Sequence, residues 1–222
     1  MPRGSEQLTQ ARKEEIVSAC ASLYGRLDFR DVTILRIAEQ TSFTRTSIYN
    51  YFQTKEEIFL ALLQREYETW ISDLAAMRPV PGRPPVSDFA AALARTLAPR
   101  GCMLKLLSMN LYDMERSSRV ENLVAFKAVY ARALRAVEEG LLRFFPDLSA
   151  GARQTFLYAF FPFLFGVYPY TTATDKQRRA MEQAKVPAVR YTIGELVRSF
   201  AGTLLRGLTG TSAAGAGRRG EE

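Results

Sequence analysis

With 222 residues, 47% hydrophobic content and a formal charge of +7, the chain suits one large or two small globular domains. Its excess charge favours solubility and steers anionic partners over long range. It contains no histidine, and so lacks the commonest general base and metal ligand that hydrolytic triads and zinc sites use.

In chain order, a first helix is expected from about Thr9 to Leu27, with Ile16, Val17, Cys20, Leu23, Tyr24 and Leu27 on one apolar face. Asp28 sits in the helix-ending turn, where aspartate tolerates a left-handed backbone better than most residues. Phe29 follows as a plug between this helix and what comes next.

The stretch 33–55 holds two short helical patterns almost back to back. Ile34, Ile37 and Ala38 form one stripe at i, i+3 and i+4, with Thr33 placed to cap it. After Thr41, Ser42 and Phe43, a second pattern opens on Thr44 and buries Ile48, Tyr51 and Phe52. Between those positions stand Arg45, Thr46, Ser47, Tyr49 and Asn50, all able to donate hydrogen bonds.

Such a pair fits a helix-turn-helix. Asn50 can bond adenine in bidentate fashion, and Arg45 can reach guanine or a phosphate. Thr46 and Ser47 can touch thymine methyls or backbone oxygens. No acidic residue occurs from Gln40 to Lys55, so nothing there repels phosphate. The charge before Ile58 is balanced, with eight basic and eight acidic residues, so the acid-free surface carries the argument rather than the net charge. The blander alternative is a helical hairpin with a solvated polar side.

Thr54, Lys55, Glu56 and Glu57 read as a capping box, with Thr54 as cap and Glu57 reaching back to its amide. The helix it opens runs to about Met77 through Ile58, Leu62, Leu63, Tyr67, Trp70 and Ile71, a natural connecting rod. The proline-rich stretch 79–85 breaks it. Helices are expected over 87–97, 102–112, 119–144 and from Ser149 or Ala150 through Val167. A shorter one spans 174–185. The last starts near Pro187, with Val189, Ile193, Leu196, Val197, Phe200, Leu204 and Leu208 on one stripe. The Gly-rich end, 211–222, is expected to be unstructured.

The expected class is therefore all-α, with domains at 1–54, 55–210 and a tail at 211–222. Cys20 and Cys102 read as small apolar side chains in a reducing cytoplasm. The N-terminus lacks the apolar core of a signal peptide. The longest apolar run, 156–170, is interrupted by Pro162 and Pro169 and is too short to cross a bilayer. No enzyme inventory is present. The segment 210–215 imitates a Gly-rich loop without its lysine or preceding strand. No cofactor, metal or membrane partner is expected.

The residues from Ile37 to Glu57 resemble the DNA-binding signature of the TetR family of transcriptional regulators. Ile48-Tyr49-Asn50-Tyr51-Phe52 followed by Thr54-Lys55-Glu56 carries the likeness, because other helix-turn-helix families lack that tail. The resemblance implies that Arg45 to Tyr51 face DNA and that Lys55 contacts phosphate. With Thr33 and Thr44 at the caps, these residues are the expected DNA site. Two departures stand where the family has glycine. Ser42 must take a turn conformation that glycine adopts more cheaply, and Thr46 places a branched side chain on the reading face.

The resemblance further implies an N-terminal three-helix domain and a larger helical effector-binding and dimerisation domain. The protein would be a repressor released from a pseudo-palindromic operator by a small molecule. The implied effector set is Trp70, Met103, Asn110, Tyr112, Phe126, Tyr130 and Phe163, though each residue alone reads as packing. The implied homodimer interface draws on Phe160, Leu164, Ile193, Leu196, Val197, Phe200 and Leu204, which otherwise read as buried core. The rival reading is a helical protein-interaction module that binds no DNA.

Overall fold

A computed structural model describes residues 3–187 and 190–216, with side chains described for 6–187 and 190–210. Among the described residues the chain is helical throughout, without a strand. The helices are α1 (Arg3–Tyr24), α2 (Ile34–Ala38), α3 (Arg45–Ile48), α4 (Lys55–Ala76), α5 (Pro85–Leu97), α6 (Gly101–Arg116), α7 (Val120–Phe144), α8 (Ala150–Thr171), α9 (Asp175–Gln183) and α10 (Ile193–Ala216). They fall into two compact units, Met1–Glu68 with Met109–Tyr130, and Thr69–Ser108 with Ala131–Glu222. Helices α4, α6 and α7 each have residues in both.

The first unit is built on the apolar face of α1. Ile16, Cys20, Leu23 and Tyr24 are buried together with Ile37 of α2, Ile48 of α3 and Phe52 just beyond it. Spacing explains the choice, since these side chains recur on one side of each helix. The Tyr24 ring meets Phe59 of α4 edge-on at 5.1 Å. Phe29 stays half-exposed and packs on Phe59 at 4.4 Å, and Phe43 is likewise only half-buried.

Helix α1 begins earlier and ends earlier than its apolar pattern suggests. The backbone after it tightens instead, with the Gly25 amide donating to Ala21 and the Leu27 amide to Leu23. The left-handed backbone expected at Asp28 and at Ser42 is absent. Among the described residues only Gly82 and Lys185 have φ in that region. Ser42 therefore replaces the glycine of the resemblance without strain, and its amide donates to Glu15 Oε1 at 2.6 Å.

In the second unit α10 packs on α5 and α8. Phe89 gathers Phe144, Phe145 and Phe156 edge-on, with centroids 5.2–5.9 Å away. Helix α8 continues through Pro162 and Pro169, which do not break it. Both rings are exposed, so the carbonyl that each deprives of a donor can be hydrated. Helix α10 starts at Ile193 rather than near Pro187, because Thr192 and Glu195 form a reciprocal capping box there. Helix α10 runs on to Ala216, so residues 211–216 are helical where an unstructured tail was expected, while Val189 and residues 217–222 lie outside the described residues. Among the described residues, no helix is long and apolar enough to cross a membrane.

Trp70 sits at the bottom of this unit's core, fully buried, with its indole Nε1 donating to Thr96 Oγ1 at 2.9 Å. Trp70→Phe removes ring volume and leaves a buried hydroxyl short of a donor. It should lower stability by about 1–3 kcal/mol. Urea denaturation followed by circular dichroism measures this without the chain's only tryptophan as a probe.

Candidate nucleic-acid interface

Thr33 caps α2, its Oγ1 accepting from the Arg36 amide at 3.2 Å. Thr44 caps α3, its Oγ1 accepting from the Ser47 amide at 3.2 Å while lying 2.9 Å from Ser47 Oγ. These two expected contact residues therefore spend their hydroxyls on their helix starts, and that of Thr44 also on the Ser47 hydroxyl. Helix α3 then tightens, with the Asn50 amide donating to Ser47 and the Tyr51 amide to Ile48. Burial of Ile48 and Phe52 turns the remaining side chains outward.

Arg45, Thr46, Tyr49 and Asn50 are exposed, and among the described residues their side chains make no hydrogen bond. A run of uncommitted donors on an acid-free convex turn is what base edges and phosphates require. Tyr51 is set differently. Its hydroxyl accepts from Arg12 Nη1 at 3.0 Å, and its ring meets Phe43 at 6.0 Å. Lys55 is tied as well: its Nζ donates to the Phe29 carbonyl at 2.8 Å and lies 4.5 Å from the Phe29 ring centroid. An ammonium has three donors, so a phosphate can still share it.

Two residues of α1 that spacing could not reveal brace this surface. Arg12 holds Tyr51 and Glu15 holds the Ser42 turn, across 39 and 27 residues of sequence. Glu57 was expected to close a local capping box, and the structure corrects half of that. Thr54 does cap, accepting from the Glu57 amide at 3.2 Å. Glu57 reaches one residue further back, accepting from the Gln53 amide at 2.8 Å. Its other oxygen accepts from Arg119 Nε at 2.7 Å. Burial pushes the Glu57 carboxyl up, but the hydrogen bonds from Arg119 and Gln53 outweigh that and hold it below the usual range.

The residues implied for an effector site are dispersed. Trp70 and Met103 are buried in the second unit, and Phe163 stacks on Phe200 there at 3.9 Å. In the first unit, Phe126 and Tyr130 both pack on Tyr67, and Asn110 Oδ1 accepts from the Tyr24 hydroxyl at 2.9 Å. Tyr112 is 76% exposed. An open cleft of about 210 Å³ in the first unit lies among Lys13, Glu14, Glu57, Arg65 and Asn122, and none of the expected residues borders it. Among the described residues, no cluster of three or more histidine, cysteine or acidic side chains is placed to hold a metal.

The implied interface residues divide by burial. Phe160, Leu164 and Val197 are enclosed within their own unit, so they offer no surface to a second copy. Ile193, Leu196, Phe200 and Leu204 remain half-exposed on α10. Helix α8 adds an outward stripe that the sequence reading missed: Tyr158, Pro162, Phe165 and Pro169, at i, i+4, i+7 and i+11.

The family model described as "Bacterial regulatory proteins, tetR family" matches residues 16–62, and that described as "Tetracyclin repressor-like, C-terminal domain" matches residues 64–212. The chain belongs to the TetR family. Over 68 residues it is 29% identical to the HTH-type transcriptional regulator RutR of Escherichia coli K12, a stretch covering 31% of this chain and 32% of RutR. The chain thus aligns with about a third of the length of that relative.

TetR-family architecture extends over nearly the whole chain. The fatty acid degradation regulator FadR from Bacillus halodurans superposes with a TM-score of 0.56 at 18% identity, covering 89% of this chain and 96% of that one. A TetR transcriptional regulator from Rhodococcus sp. RHA1 gives 0.52 at 18% identity, over 88% and 96%. At such identities the likeness speaks for the fold: an N-terminal helix-turn-helix followed by a larger helical domain.

Proposed function

We propose that the protein is a cytoplasmic, sequence-specific DNA-binding repressor. It acts as a homodimer on a pseudo-palindromic operator and is released by a small-molecule effector. The observation that carries this reading is the exposed, acid-free face of Arg45, Thr46, Tyr49 and Asn50 on a capped helix whose opposite side is buried. An interaction module that had lost DNA binding would have no reason to keep four outward donors free of intramolecular partners. A single reading helix covers too few base pairs, and two must sit about 34–36 Å apart to read successive major grooves. The half-exposed apolar side of α8 and α10 supplies a self-complementary surface for that pairing. Because α4, α6 and α7 have residues in both units, a ligand that shifts one of them has a continuous helical path to the DNA-reading unit.

Selection of DNA from a random pool by the purified protein, followed by sequencing, tests the core of this. An enriched pseudo-palindrome is expected, and failure to enrich any would sink specific binding. On that operator, Asn50→Ala and Arg45→Ala should each relax preference at particular base pairs, costing about 1–3 kcal/mol for a bidentate contact. Lys55→Ala should weaken all sequences alike and reduce the salt slope by about 1. The opposite pattern, with Lys55→Ala changing base preference and Asn50→Ala not, would reverse the reading and anchoring roles.

A further inference from the structure

The connector between α6 and α7 is bonded directly to the exit of the reading helix, and a single carboxylate makes most of the joint. Glu57 is 1% exposed, in the first turn of α4. One oxygen accepts from the Arg119 amide at 3.1 Å and from Arg119 Nε at 2.7 Å. The other accepts from Arg119 Nη2 at 2.9 Å and from the Gln53 amide, the second residue beyond Tyr51. Beside it, the Thr54 hydroxyl donates to the Ser117 carbonyl at 3.2 Å. The pair is bidentate, with both carboxylate oxygens fully used, and such a fork fixes orientation as well as distance.

We propose that Glu57 and Arg119 are positioning residues for operator recognition. They lock the chain leaving α3 to the α6–α7 connector, so that the connector sets where the reading helix stands. This rests on the reading above, in which α3 enters the major groove. Neither residue need touch a base. Their effect falls on the geometry that lets two reading helices engage two half-sites, which specific binding requires. Non-specific binding, dominated by phosphate charge, does not depend on that geometry. The same joint gives an effector that displaces α6 or α7 a route to the reading helix.

The test uses the full-length protein, the operator recovered by selection, and a scrambled duplex of the same length. Arg119→Gln keeps most of the aliphatic stem at a site whose side chain is 42% exposed and leaves Glu57 its two amide donors, and circular dichroism checks that the variant is folded. It should lose operator affinity about tenfold or more with little change on scrambled DNA. Arg119→Lys, which keeps the charge but not the fork, should fall between. Lys127→Met, which also deletes one positive charge of this unit by breaking the pair with Glu115, is the control and should leave the ratio unchanged. Glu57→Gln combined with Arg119→Gln should cost no more than the worse single change, because both break one joint. Equal losses on both duplexes, or a folded Arg119→Gln protein with wild-type operator affinity, would overturn the positioning role. A wild-type protein that fails to prefer any duplex would remove the DNA-reading function itself, and this role with it.

Discussion

Glu57→Ala should destabilise the DNA-reading unit by about 2–4 kcal/mol, a large share of the stability of a domain this size. The carboxylate is enclosed, and it satisfies the amides of Gln53 and Arg119 as well as the guanidinium. Deleting it takes the acceptor from two backbone donors, one just ahead of α4 and one just ahead of α7. Arg119 is partly exposed and regains water, so the loss comes chiefly from the amides.

The dependence on acidity follows from the same contacts. Because the folded carboxyl lies below its ordinary value of 4.5, its stabilisation is fully present above that value and is lost as pH falls through the lower folded one. The difference in unfolding free energy between wild type and Glu57→Gln should therefore be constant near neutrality and shrink below about pH 4.5. Urea midpoints from pH 3 to pH 7 measure it, and a gap that widens on acidification would contradict the assignment.

The reading site was legible in the sequence to the extent that its determinants are local. Caps at Thr33 and Thr44, the periodicity of Ile34, Ile37 and Ala38, and the burial of Ile48 and Phe52 all follow from residues within a few positions of one another. The supports of that site are not local. Arg12 meets Tyr51, Glu15 meets Ser42, and Glu57 meets Arg119 across 27 to 62 residues, and no spacing rule carries such pairings. The start of α10 was misplaced for a different reason, since two local signals compete there. At Thr192 a capping box prevailed over the proline at 187 that resembles a first-turn residue. In α8 two prolines lie inside the helix because their rings face solvent, a fact about orientation that composition does not encode. For Tyr112, an aromatic at helical spacing, the period does not say which face is covered, and it points outward.

Phe200→Glu should convert the proposed dimer into a folded monomer and abolish operator binding, although α3 is untouched. Phe200 lies on the half-exposed side of α10, its ring parallel to Phe163 with 2° between planes. In a lone chain a glutamate there can turn to water, and the loss is mainly the stacking contact, about 0.5–1.5 kcal/mol. Between two copies the same carboxylate is enclosed against Leu196, Leu204 and their symmetry mates without a cation, and the two-fold imposes that cost twice. The substitution thus separates an interface position from a purely internal one. Phe200→Leu, which stays apolar, should remain dimeric. Light scattering gives the mass, circular dichroism the fold, and a gel shift the operator affinity. A folded, dimeric Phe200→Glu protein that binds its operator normally would place the interface elsewhere, because one helix-turn-helix alone cannot hold the affinity that two half-sites provide.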